Sequence, residues 1–166
     1  LKLVDIDDFD LADVRQVDAA VASFKPHAVI HCAAMTAVDK ADTEADLAFR
    51  ANAVGSTNLA IPCHRHGARI IALSTDYVFS GVLDRPYHEW DPVGPNTVYG
   101  FSKLAGEQAI QRHCPDHLIC RIAWLYGAGG PSFVHAMLKF GAEDGPPMKV
   151  VEDQIGNPTS ALAVAQ

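Results

Sequence analysis

Arg69-Ile70-Ile71-Ala72-Leu73-Ser74, running directly into Thr75-Asp76-Tyr77, sets the architecture of this chain. Four apolar residues in a row, two of them β-branched, suit a strand covered on both faces, as in parallel sheets. Polar side chains begin where the apolar run ends, and open α/β sheets bind ligands at that carboxyl end of their strands. On the amino-terminal side, Val14, Val17, Ala20, Val21 and Phe24 recur at helical spacing until Pro26 stops them. Residues 28–32 then read as a second buried strand. Residues 44–66 return to helical spacing, with Pro62 expected to kink or shorten the helix and Gly67 to cap it. Downstream, Pro86, Pro92, Gly94 and Pro95 mark a long surface loop. A helix over 98–112, a third strand over 117–122 and a short helix over 133–140 follow. Residues 148–151 read as a fourth strand or edge, 153–159 as a loop, and another helix begins before Gln166. This alternation predicts an α/β fold built on a parallel sheet.

Composition narrows the function. The 166 residues are 49% hydrophobic and 20% charged, enough to build a core and wet a surface. Thirteen Lys and Arg against twenty Asp and Glu give a net charge of −7, which argues against nucleic acid as a partner. No apolar run approaches the roughly 20 residues that a membrane span needs. Cys32, Cys63, Cys114 and Cys120 form no C-x-x-C pair, which fits a reduced, cytoplasmic setting. His64 and His66 lack further ligands at matching spacing, so no metal site is expected.

Two motifs carry chemistry. Tyr99-x-x-x-Lys103 lies in the helix after the long loop, where four residues mean about 6 Å of rise and nearly one turn. Both side chains therefore share a face, and an ammonium beside a phenol favours the phenolate. Lowering a phenol by ~3 pKa units from ~10 takes ~4 kcal/mol. The second motif, Ser74-Thr75-Asp76, puts hydroxyls at a strand end, where one can hold a substrate carbonyl against the tyrosine. Read singly, each motif is equally compatible with a solvated helix face and an ordinary turn. Their order, strand then hydroxyl cluster then loop then Tyr-x-x-x-Lys helix, favours chemistry.

Three longer segments carry a resemblance: 74–81 (Ser-Thr-Asp-Tyr-Val-Phe-Ser-Gly), 99–107 (Tyr-Gly-Phe-Ser-Lys-Leu-Ala-Gly-Glu) and 153–159 (Asp-Gln-Ile-Gly-Asn-Pro-Thr). Together they resemble the dTDP-4-dehydrorhamnose reductases of the extended short-chain dehydrogenase/reductase superfamily. Residues 31–41 and Arg121-x-x-Trp124-x-Tyr126-Gly127 resemble further family segments, with His31 where Asn is usual. The resemblance implies a Rossmann-type doubly wound parallel sheet. It implies a partial NAD(P)-binding domain over 1–146 and the start of a substrate-binding region over 147–166. The family's Gly-x-x-Gly-x-x-Gly turn has no counterpart, so the chain is expected to be truncated at both ends. It would lack the first strands and most of the C-terminal substrate domain. Alone, it is expected to be inactive and to dimerise or aggregate through an exposed sheet edge.

The implied reaction is reduction of the 4-keto group of dTDP-4-dehydro-6-deoxy-L-mannose by NADPH or NADH. Tyr99 would be the general acid, Lys103 would orient the nicotinamide ribose and lower the tyrosine pKa, and Thr75 would hold the keto oxygen. Asp76, Tyr77 and Trp124 match positions beside the sugar. Asp10 and Leu11 match a segment beside the adenine, Cys32, Ala33 and Ala34 a cofactor-lining strand end, and Asn52 a supporting asparagine. Partners implied are a dTDP-sugar and a second copy in a homodimer. Other nucleotide-sugar 4-ketoreductases or epimerases use the same triad. The beta subunit of methionine adenosyltransferase is a non-catalytic relative in fold.

Overall fold

The computed structural model describes residues 1–130, 132–141 and 150–166. These form two compact units, Leu1–Arg121 and Ile122–Gln166. The expected division between 146 and 147 lies outside the described residues.

In the first unit, α1 (Val14–Phe24) starts at Asp13, whose carboxylate accepts the Arg15 and Gln16 backbone N–H groups. Capping satisfies donors that a helix start leaves orphaned. Its apolar stripe buries Val17 and Val21, and Lys25 ends it in the left-handed conformation at φ 50. Strand β1 (Ala28–His31) follows, then the short helices α2 (Val38–Thr43) and α3 (Ala45–Phe49). A π-helical turn over Arg50–Val54 joins α3 to α4 (Gly55–Arg65). Pro62 is fully buried inside α4, and the helix continues past it, so the proline does not shorten the element as expected. Packing of α4 against α1 and α5 outweighs the one backbone bond that Pro62 removes. Gly67, at φ 71, takes the expected position just beyond the helix end.

Strand β2 (Arg69–Thr75) is central in the sheet order β1-β2-β3, with β3 at His117–Ile122. β1 runs parallel to β2, pairing Ala28 with Arg69 through His31 with Ala72. Ile70 and Ala72 point into a core with Val17, Leu59, Cys63 and Ile110, which α1, α4 and α5 (Val98–His113) supply. Fully burying a side chain such as Ile70 is worth about 1.5–3 kcal/mol. On the opposite face Ile71 is half-buried and its register partner Ile30 exposed.

The second unit contains β4 (Leu125–Tyr126) paired in parallel with β5 (Thr159–Ser160), and helices α6 (Phe133–Gly141) and α7 (Ala161–Val164). Both two-residue strands are too short to read from periodicity. Of the expected strand over 148–151, Met148 and Lys149 lie outside the described residues, and Val150 and Val151 are not in a strand.

Candidate active site

Helix α5 meets the carboxyl end of β2, and a glycine sets the closeness of approach. A Cβ on Gly100 would overlap the Tyr77 carbonyl oxygen, so only glycine lets the first turn of α5 abut the 3-10 turn Asp76–Val78. The Thr97 hydroxyl caps that first turn by accepting the Gly100 N–H at 3.0 Å. Tyr99 is thereby buried, 8% exposed, and its ring meets Tyr77 edge-on at 5.5 Å. Thr75, 5% exposed, donates to Asp76 Oδ1 (3.1 Å) and accepts the Tyr77 N–H (3.2 Å). One turn along α5, Lys103 Nζ donates to the Leu73 carbonyl at 2.8 Å. The spacing of Tyr99 and Lys103 therefore brings both to three consecutive residues of β2.

Electrostatics at these groups follow from burial. Desolvation raises the Tyr99 phenol above its ordinary value, and the charges of Asp76 and Tyr77 add to this, while Thr75 opposes it. The phenol therefore holds its proton at neutral pH, the state a proton donor needs, and the lowering expected from Lys103 is not found: burial of the phenol governs instead. Burial lowers the Lys103 ammonium, and the Glu107 carboxylate, followed by the neighbouring Cys32 side chain, opposes the shift. Asp76 is raised by burial, against the Thr75 hydrogen bond.

Asn52 ties the segment after β1 to α5. Its Oδ1 accepts the Met35 N–H (2.8 Å), and its Nδ2 donates to the Met35 carbonyl (3.1 Å) and to Ser102 Oγ (2.8 Å). Asn52 lies within the π-helical turn, a distortion that recurs at functional sites. Ser56 Oγ donates to the Asn52 carbonyl (2.6 Å), which spends its one proton, so the 3.1 Å contact from His31 Nε2 makes that nitrogen the donor. His31 is 6% exposed; burial first, and Lys103 second, lower its pKa to about 4. His31, Asn52, Ser56, Ser74, Lys103 and Glu107 share the lining of one small cavity.

The residues expected at a cofactor lie on the same unit. Cys32 and Ala33 are exposed and Ala34 is half-buried at the carboxyl end of β1, where small side chains leave the backbone open to close approach. Asp10 accepts the Ala12 N–H (2.8 Å) and pairs with Arg50 (2.7 Å), and these interactions lower its pKa. The Leu11 carbonyl accepts from Asn58 (2.9 Å), and the Leu11 side chain lies against Gly55. The donor set fits a nicotinamide ribose, because Lys103 has made one of its three hydrogen bonds. Trp124 belongs to the second unit; it is 48% exposed, adopts φ 46, and its indole lies against Gly156.

In the sequence, Glu107 and Arg121 stand in separate motifs with nothing to pair them. The structure joins them: Arg121 Nη2 donates to Glu107 Oε2 at 2.6 Å, Nε donates to Oε1 at 3.0 Å, and Ser74 Oγ also donates to Glu107. A charge in the middle of the apolar strand 117–122 was the available signal, since a buried charge requires a partner.

No helix among the described residues is long and apolar enough to cross a membrane. Residues 2–166 match the family model described as the RmlD substrate binding domain. A dTDP-4-dehydrorhamnose reductase of Streptomyces griseus is 49% identical over 90% of this chain and 49% of its own length. The crystal structure of a dTDP-4-dehydrorhamnose reductase from Clostridium acetobutylicum superposes with a TM-score of 0.93 at 42% identity, over 98% of this chain and 57% of that one. That of the Bacillus anthracis reductase in complex with NADP gives 0.92 at 40% identity, over 97% and 58%. The chain thus spans about half the length of the curated relatives it matches. With its Rossmann-type α/β fold and its match from residue 2 to residue 166, the chain belongs to the RmlD substrate binding domain family.

Proposed function

We propose that the protein containing this chain reduces the 4-keto group of dTDP-4-dehydro-6-deoxy-L-mannose, with NADPH or NADH, to give dTDP-L-rhamnose. The observation that carries this reading is the grip of α5 on the end of β2, with buried Tyr99 beside Thr75 and Lys103 one turn along. A bound nicotinamide supplies the hydride. Tyr99 gives its proton to the C4 oxygen, and burial keeps that proton in place until it is needed. Thr75 turns its hydroxyl from Asp76 to the same oxygen, which fixes the keto group against the phenol. Lys103 holds the ribose with the N–H groups left over from its bond to Leu73. Cys32, Ala33 and Ala34 lie along the cofactor, Asp10 and Leu11 near its adenine, and Asn52 holds the intervening segment. Asp76 and Tyr77 recognise the sugar, and the Trp124 indole, on the second unit, offers a face suited to the apolar side of a deoxyhexose.

In the whole protein, Tyr99→Phe removes the proton donor and its hydrogen bond to Thr75, so kcat is expected to fall about 10²–10⁴-fold with cofactor affinity retained. Lys103→Ala is expected to damage both. Steady-state kinetics and cofactor titration measure the split, and full activity in Tyr99→Phe rules out the assignment.

A further inference from the structure

Tyr99, Lys103 and Glu107 follow one another at intervals of four along a single face of α5. Each meets the same short stretch of β2: Tyr99 stands beside Thr75, Lys103 donates to the Leu73 carbonyl, and Glu107 accepts from the Ser74 hydroxyl. We propose that Glu107 is a positioning residue for the reductase reading given above, extending the Tyr-x-x-x-Lys pair by a third turn. Through Ser74 it fixes the strand end that carries Thr75.

Burial makes this contact costly unless it is useful or fully paired. Glu107 is 3% exposed, and its carboxylate is held by both Nε and Nη2 of Arg121, at 3.0 and 2.6 Å. Arg121 in turn lies over the Phe79 ring, 4.9 Å from its centre. The glutamate is therefore locked from β3, and through Ser74 it locks β2. Gly106, the residue before it, brings α5 so close to the π-helical turn that a Cβ there would overlap the Asn52 carbonyl oxygen. Glu107 thus stands on a rigid platform, as accurate placement of neighbouring groups requires.

The glutamate also acts on Lys103 through space. The groups facing Lys103 are Glu107 on its own helix, His31 at the end of β1 and Cys32 just after it; Asp76 and Tyr77 surround the neighbouring phenol, and Arg121 backs Glu107 from β3. Among these, Glu107 is the principal group that offsets the desolvation of the ammonium.

Two variants of the whole protein test the proposal. Glu107→Gln/Arg121→Met removes both charges of the buried pair together, so neither is left unpaired. Competitive acetylation across pH, read by mass spectrometry on the Lys103 peptide, should show its half-point moving to lower pH once the carboxylate that offsets desolvation is gone. A purely structural pair would leave that curve in place once the protein is folded. Ser74→Ala leaves both charges and cuts only the link to the strand; it should lower kcat about 10–100-fold while cofactor affinity is retained, since misplacement of about 1 Å has effects of that size. An unmoved Lys103 curve, or an unchanged kcat in Ser74→Ala, overturns the proposal. Absence of turnover in the unaltered protein would strike at the reductase reading alone, because the acetylation curve needs neither sugar nor cofactor.

Discussion

Replacing His31 with Asn should flatten the acid limb of the protein's stability curve. His31 is 6% exposed on the helix-covered side of β1, its Nε2 donating to Ser56, and its pKa falls from 6.5 to about 4. Burial is the main cause, and the Lys103 charge adds to it. Above pH 6.5 the imidazole is neutral whether the chain is folded or not, so this residue makes stability independent of pH there. Between 6.5 and 4 the unfolded chain takes up the proton and the folded one does not, so stability falls as pH falls. At 1.36 kcal/mol per pKa unit, the loss from His31 reaches about 3 kcal/mol at pH 4. Carboxylates lowered by partners, such as Asp10 and Asp13, also lose stability on acidification, but equally in both proteins. Urea unfolding followed by circular dichroism at pH 7, 6, 5 and 4 gives the free energy of each. The wild-type value minus the His31→Asn value should drop by about 3 kcal/mol from pH 7 to pH 4. A difference that stays constant with pH would show that His31 is not a buried neutral imidazole.

Two further outcomes follow from packing and exposure. Gly106→Ala should lower stability, because overlap with the Asn52 carbonyl costs about 1–3 kcal/mol or more while helix propensity returns about 1. Thermal melting measures the change, and an unchanged Tm would mean that α5 does not sit this close to the π-helical turn. Iodoacetamide at pH 8 should label exposed Cys32 and spare Cys63, which is buried and pushed up to about 12, leaving about 10⁻⁴ of it as thiolate. Peptide mass spectrometry separates them; faster labelling of Cys63 than of Cys32 contradicts the core described above.

Much of the first unit was legible because its signals are local. Apolar residues at helical spacing, stopped by Pro26, give α1 from Val14 to Phe24, and the uninterrupted run from Ile70 to Leu73 gives β2. Tyr99 and Lys103 could be paired because one helix carries both. What stayed hidden depends on chain segments far apart in sequence. Asn52, within the π-helical turn, bonds Met35 and Ser102, residues 17 and 50 positions away that no local propensity brings to it. Glu107 and Arg121 meet across fourteen residues and two elements. Pro62 read as a helix breaker because the packing that carries α4 past it comes from α1 and α5. Trp124 at φ 46 is a conformation that sequence favours for glycine, and tertiary context imposes it.

The most direct test follows the reducing equivalent itself. The whole protein is incubated with dTDP-4-dehydro-6-deoxy-L-mannose and NADPH deuterated at the transferable position, and the sugar product is examined by NMR. Reduction of the 4-keto group with Tyr99 as proton donor predicts stoichiometric NADPH oxidation and one deuterium, bound to C4 of dTDP-L-rhamnose. Epimerised sugar with no net NADPH consumption, deuterium at any other carbon, or cofactor binding without turnover would contradict the account.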